Sequence, residues 1–206
     1  MLVETNGGYD EGYLAVSGFW GTTPGSLVAD YLRAQSPLNF RVLDVGAGEG
    51  KNAVAFARAG AEVDAVECSE AAIRNGKHLF PSDGINWIHS DVLERKFLPT
   101  TYDVIVSYGL SHCLPSETDV RLLIEELQAS LKRGGTFILV SFNAGSHDLA
   151  EAHPGFHPLL LSHDWYLQRF NGWHFRHASD SLLFETHPHN NIPHHHSMTR
   201  ISAIKL

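Results

Sequence analysis

FRVLDVGAGEGKNAVAFARAGAEVDAVE, residues 40–67, reads as a strand, a tight turn, a helix and a second strand. The opening run, 40–45, is mostly apolar and β-branched at Val42 and Val45, long enough for a buried strand. Glycines follow at alternate positions, Gly46, Gly48 and Gly50. The segment 51–59 places Val54, Ala55 and Ala59 at apolar positions of a helix, and Gly60 stops it. A second strand over 62–66 ends on Glu67. The stretch therefore predicts a βαβ unit with a glycine-rich first turn.

The glycines point to close approach. A side chain at Gly46 or Gly48 would hold a ligand away from the backbone, and a turn this tight favours positive φ. The turn feeds a helix N-terminus, whose unpaired N–H groups suit a polar or negative ligand. Glu67, at the end of the second strand, can accept hydrogen bonds from two ribose hydroxyls. The unit thus reads as a nucleoside-binding site. Its spacing is G-x-G-x-G, not the G-x-G-x-x-G of dinucleotide sites. Asp44 stands two positions before the first glycine, where a carboxylate would repel a pyrophosphate and suit a cation.

The run VLDVGAGEG resembles motif I of the class I S-adenosylmethionine (SAM) methyltransferases. The resemblance implies an α/β fold: a Rossmann-like doubly wound sheet of about seven strands, mostly parallel with an antiparallel last strand, helices on both faces. It implies SAM as cofactor and S-adenosylhomocysteine as product, with Asp44 near the ammonium and sulfonium of the aminoacyl end. Gly46, Ala47 and Gly48 would line the turn. Residues 85–89 predict a third strand, and the family's acidic residue after it matches Asp91. That carboxylate is expected to meet the adenine amino group, and the backbone N–H of Val92 a ring nitrogen. Asp91 also reads as a solvated loop carboxylate. Cys68 is expected beside the ribose as a small apolar wall, not a nucleophile. Tyr108 ends a fourth strand, 101–108, and joins the cofactor set.

The loop after that strand, 109–115, corresponds to motif IV, which borders the methyl acceptor. His112 lies in it and is the candidate base or orienting group; the alternative is a structural histidine bonded to the backbone. Residues 1–24 are glycine-rich and aromatic, with Tyr9, Tyr13, Phe19 and Trp20. This composition is not that of a disordered tail. Two readings stand: packing against the sheet edge, or a lid over the SAM pocket with Tyr13 and Trp20 shaping the acceptor site and Trp20 also touching the cofactor.

Further helices are expected at 26–35, 69–80 and 117–132, the last stopped by Gly134-Gly135. A fifth strand is expected at 136–142, a polar loop at 143–161, a short helix at 162–170 and two closing strands at 173–185 and 196–206. One domain covers 1–206: a lid and helix (1–35), a SAM-binding core (36–143), and a C-terminal hairpin with acceptor-side loops (144–206).

A formal charge of −8 argues against nonspecific nucleic-acid binding. No stretch approaches the length of a membrane-spanning helix, and two cysteines make no disulfide framework. A cytoplasmic monomer or homodimer is expected, with no nucleic-acid or membrane partner. Of 14 histidines, 11 fall from His147 onward. The joint 187–196 could hold a metal, line an acceptor pocket or be a solvated loop. Its spacing matches no standard zinc pattern, so no metal set is assigned. His189 and His195 are taken as acceptor-side residues. YDEGY, FWG and the PHNNIPHHHS-type ending resemble the tellurite-resistance branch of small methyltransferases, which implies a small, soft or oxyanionic acceptor.

Overall fold

The computed structural model describes residues 9–81, 84–152, 155–186 and 191–206. Seven strands make one sheet. They are β1 (Arg41–Val45), β2 (Glu62–Glu67), β3 (Ile85–His89), β4 (Tyr102–Tyr108), β5 (Leu131–His147), β6 (His174–Glu185) and β7 (His194–Ile204). Their order is β3-β2-β1-β4-β5-β7-β6. Strands β1 to β5 pair in parallel, and β7 runs antiparallel to both of its neighbours. The expected doubly wound sheet with an antiparallel last strand is the one observed.

Alternation along the central strands builds a core on each face. In β4, Val104 and Val106 face one side and Ile105 the other; in β5, Ile138 and Val140 oppose Phe137 and Leu139. Helices α2 (Ser26–Ala34) and α3 (Lys51–Arg58) cover the first side through Leu27, Val28, Tyr31, Ala53 and Phe56. Helices α5 (Glu117–Ser130) and α7 (His163–Arg169) cover the second through Val120, Leu123, Ile124, Leu127 and Tyr166. Burial on both faces explains why the central strands are runs of Val, Ile, Leu and Phe.

Helix starts follow the expected chemistry. Ser69 caps α4 (Glu70–Leu79) by accepting from the Ala72 N–H at 3.0 Å, and Ser116 caps α5 by accepting from Asp119. The end of α5 differs. It stops at Ser130, short of the glycine pair, because Leu131 turns extended (φ −80°, ψ 135°), is fully buried and pairs with Tyr102. Residues 143–161 are not simply a loop: β5 runs on to His147, and α6 (Leu149–Ala152) follows. The polar composition there reflects side-chain bonding within the sheet, where the Asn143 amide donates to Asp180 and Thr199. Strand β7 begins at His194, two residues earlier than expected.

A glycine inside α4 shows how tightly the glycine turn is braced from behind. A β-carbon on Gly76 would lie 2.6 Å from the Glu49 carbonyl oxygen and 2.6 Å from the Trp87 ring. Helix propensity alone favours Gly76→Ala by about 1 kcal/mol. The clash with backbone outweighs this, as overpacking costs about 1–3 kcal/mol. Gly76→Ala is expected to lower thermal stability, measured by calorimetry, where an exposed helix glycine would raise it.

Candidate active site

The cavity lies over the C-terminal ends of β1, β2 and β4, where open α/β sheets bind ligands. Gly46 and Gly48 take φ of +65° and +55°, and Gly50 takes +81°, values that favour glycine. Gly50 is the residue preceding α3. Glu67, buried at the end of β2, ties the turn together. Its Oε2 accepts from the Gly48 N–H at 2.8 Å and its Oε1 from the Ser69 N–H at 2.9 Å. Oε1 also accepts from the Cys68 thiol at 3.4 Å, while Oε2 keeps a lone pair for a hydroxyl.

Asp44 is fully enclosed behind this turn. Burial first, and Glu67 in addition, push its carboxyl up to about 7, against stabilisation by the Ala53 N–H and Lys51. Its Oδ2 and the Oε2 of buried Glu49 have no hydrogen-bond partner among the described residues. Two such carboxylate oxygens beside one turn are costly, and a cationic ligand group would offset that cost.

Cys68, Asp91 and Val92 line the cavity, as do Gly46, Ala47, Gly48, Glu67 and Tyr108. Asp91 Oδ1 accepts from the Leu93 N–H at 2.9 Å, which fixes the loop after β3. Burial, and next the Glu67 charge, push the Cys68 thiol up to about 12; burial also raises Cys113 strongly. Both are thiols at neutral pH, so neither is poised as a nucleophile.

The N-terminal segment closes over the turn. Helix α1 (Asp10–Ala15) packs on α4, and Tyr13 is buried with its hydroxyl 2.9 Å from where a β-carbon on Gly48 would sit. Trp20 Nε1 donates to that hydroxyl at 3.1 Å. Tyr9 adds an aromatic roof, its ring 5.0 Å from Trp20 and 5.1 Å from Phe156. Three side chains in or just after the glycine turn hold the segment down. Glu49 accepts from the Gly18 N–H (2.8 Å), Lys51 donates to the Trp20 carbonyl (2.9 Å), and Asn52 accepts from the Gly25 N–H (2.8 Å). Sequence reasoning named Tyr9 in the lid segment without a place at the cavity, and it missed Glu49, Lys51 and Asn52, because polar residues in and after a turn carry no local signal of what they will reach.

His112 lies in the short 3₁₀ turn Ser111–Cys113 and lines the cavity. Its ring stacks on Phe142 at 4.0 Å, and its Nδ1 accepts from the Phe142 N–H at 3.2 Å. A backbone N–H only donates, so Nδ1 bears the lone pair and neutral His112 carries its proton on Nε2. This makes the ring a donor rather than a ready base. His195 is not among the cavity-lining residues. It bonds Ser146 and the Asp148 carboxylate, because strand alternation turns it away from His194 and His196. Asp44 lies behind the lining, and His189 lies outside the described residues.

A sheet of this order with its cavity over a glycine turn is a Rossmann-like architecture. Residues 42–135 match the family model described as a methyltransferase domain. An uncharacterised methyltransferase of Mycobacterium tuberculosis is 31% identical over 112 residues, covering 54% of this chain and 55% of that protein. The chain spans about half the length of the curated relatives it matches. Among solved structures, one from a study of the conversion of a disulfide bond into a thioacetal group during echinomycin biosynthesis superposes with a TM-score of 0.73. It is 21% identical and covers 98% of this chain and 93% of its own. TehB from Haemophilus influenzae superposes with a TM-score of 0.72 at 16% identity, covering 98% of this chain and 67% of its own. These likenesses concern the fold. No helix of the described residues is long and apolar enough to cross a membrane.

Proposed function

We propose that this chain transfers a methyl group from SAM to a small-molecule acceptor. The observation that carries the reading is the pair of buried carboxylate oxygens, on Asp44 and Glu49, that have no partner among the described residues, beside a left-handed glycine turn. That combination suits a ligand with a cationic end and a nucleoside end. Glu67 would hold the ribose hydroxyls, Asp91 and the Val92 N–H the adenine edge, and Gly46, Ala47, Gly48, Cys68 and Tyr108 the remaining walls.

When bound, SAM supplies a methyl carbon on a positive sulfur: the acceptor's lone pair forms the new bond, and the carbon–sulfur pair leaves with sulfur. The chain's own part is alignment and exclusion of water. Tyr13, Trp20 and Tyr9 close one side of the cavity; Phe142, His112 and Met198 bound the other. With its proton on Nε2, His112 would orient an acceptor by donating a hydrogen bond, and the acceptor would enter as a neutral or anionic nucleophile. The likeness to TehB, a tellurite-resistance methyltransferase, leans the acceptor toward a small oxyanion. Aromatic walls and a net charge of −8 favour a small molecule over a nucleic acid.

Thermal shift with SAM, S-adenosylhomocysteine, NAD and buffer alone tests the cofactor. At about 100 times its Kd a ligand stabilises by roughly 2.7 kcal/mol, about 5–10 °C for a domain of this size. SAM and S-adenosylhomocysteine should shift the transition and NAD should not. Mass-spectrometric detection of S-adenosylhomocysteine in an acceptor screen then separates an enzyme from a SAM-binding sensor. Absence of any SAM shift would end the proposal.

A further inference from the structure

The hairpin of β6 and β7 brings together a group that chain order separates. Glu185 stands opposite His194 in the register, and Leu183 opposite His196. Cross-strand partners share a face, and alternate residues along a strand share it too. Glu185, His194 and His196 therefore point the same way, together with Met198, and His195 points the other way. One ligand atom from each of Glu185, His194 and His196 lies within 4.8 Å of the other two. Both histidines are buried, and Glu185 lines the cavity beside Leu183, Phe142 and Met198.

Hydrogen bonds fix the tautomers. Nδ1 of His194 is 2.7 Å from the Ile192 carbonyl oxygen. A carbonyl only accepts, so Nδ1 carries hydrogen and the neutral ring keeps its lone pair on Nε2, the atom 3.9 Å from Glu185 Oε1. The second ring is set through an intermediary. Nε2 of His147 is 2.7 Å from the Asn143 carbonyl oxygen, which makes it a donor and leaves the lone pair of His147 on Nδ1. That atom faces Nδ1 of His196 at 3.3 Å, so His196 donates there and holds its own lone pair on Nε2. Phe142 stacks on the His196 ring at 4.2 Å and limits its rotation. Outer partners of this kind orient imidazole ligands in metal sites.

We propose that Glu185, His194 and His196 bind one divalent transition-metal ion of the zinc class at the acceptor end of the cavity. Two imidazoles and a carboxylate suit zinc, cobalt, nickel or ferrous iron; magnesium and calcium prefer oxygen donors alone. Three protein ligands leave a coordination position. Because Glu185 borders the cavity, an acceptor's oxygen, nitrogen or sulfur would fill that position. This last role rests on the methyl-transfer reading; the metal site does not.

The test is a Co²⁺ titration of untagged protein, without SAM, followed by visible absorption and by Zn²⁺ displacement. Wild type should bind one Co²⁺ per chain with the d–d bands of N/O coordination, and Zn²⁺ should abolish them. Glu185→Gln preserves side-chain length and should weaken Co²⁺ binding at least tenfold, as should His194→Gln. His195→Ala, one residue away on the opposite face, should bind as wild type does. Circular dichroism of each variant checks its fold, and the wild-type titration stands without them. Failure of wild type to bind, unchanged binding in folded Glu185→Gln, or loss of binding in folded His195→Ala would each overturn the site. The SAM thermal shift is read separately, so the two proposals fail separately.

Discussion

Asp44→Asn is expected to stabilise the ligand-free protein while weakening SAM binding about 10- to 100-fold. Both effects come from one buried charge. The Asp44 carboxyl is raised by burial from its ordinary 3.8 to about 7. Between those values the folded chain holds a proton that the unfolded chain has released. Wild-type stability from this group is therefore complete below about pH 4, falls as pH rises, and levels off above about 7. The amide has no such slope. At pH 8 the variant should gain on the order of 1–3 kcal/mol, less than the full titration difference because Asp44 Oδ2, without a partner among the described residues, becomes an amide group. The melting temperature should rise by several degrees.

Binding moves the other way. A cation held against Asp44 favours its ionised form, so SAM binding below about pH 7 should release a proton. Affinity should rise from pH 5 to 7 and flatten beyond. Calorimetry in two buffers of different ionisation enthalpy measures this release directly. Equal proton release in wild type and Asp44→Asn would show that another group carries it. Asp44 lies behind the lining, so the fold-change comes from the attraction of its charge for a cation across the turn, on the order of 1.5–3 kcal/mol at short range in a partly desolvated site.

Glu67→Ala is expected to be the most damaging single change at the turn. The carboxylate accepts from the Gly48 and Ser69 N–H groups, both buried with it. Truncation leaves two donors unpaired, each at a cost of about 1–3 kcal/mol. Denaturant unfolding should show a loss of roughly 2–5 kcal/mol, and the SAM thermal shift should vanish. Glu67→Gln keeps one acceptor oxygen and should recover part of the stability. If Glu67→Ala unfolds at the wild-type midpoint and retains the SAM shift, the role given to this residue is wrong.

Local patterns made the glycine-turn half of the cavity readable. Alternate glycines at 46, 48 and 50 announce positive φ, the run 40–45 announces a buried strand, and Glu67 and Asp91 each sit at the end of the next strand, as the parallel β1-β2-β3 register then requires. The acceptor half depends on long-range pairing, which local pattern does not encode. Three consecutive histidines, 194–196, look alike in sequence. Only the register with Glu185 decides that the outer two face inward and His195 does not. A strand assumed to begin at His196 carried no phase for the residues before it. The overrun of α5 has a similar cause: Leu131 fits a helical stripe, and pairing with Tyr102 takes it into the sheet instead.

The place of β7, between β5 and β6, carries a consequence for how the protein is made. On the ribosome β6 emerges first, yet it has no strand to pair with in the sheet until residues 194–204 follow it out of the tunnel. The glycine turn, Glu67 and Asp91 can assemble while translation continues, because β1 to β5 complete their parallel register without the hairpin. Leu183, Glu185 and Met198 join the cavity wall only when β7 slides in beside β5. A nascent chain halted before residue 194 would thus hold the glycine turn, Glu67 and Asp91 while lacking the cavity wall formed by Leu183, Glu185 and Met198. The two halves of the cavity wall are thus completed at different moments of synthesis.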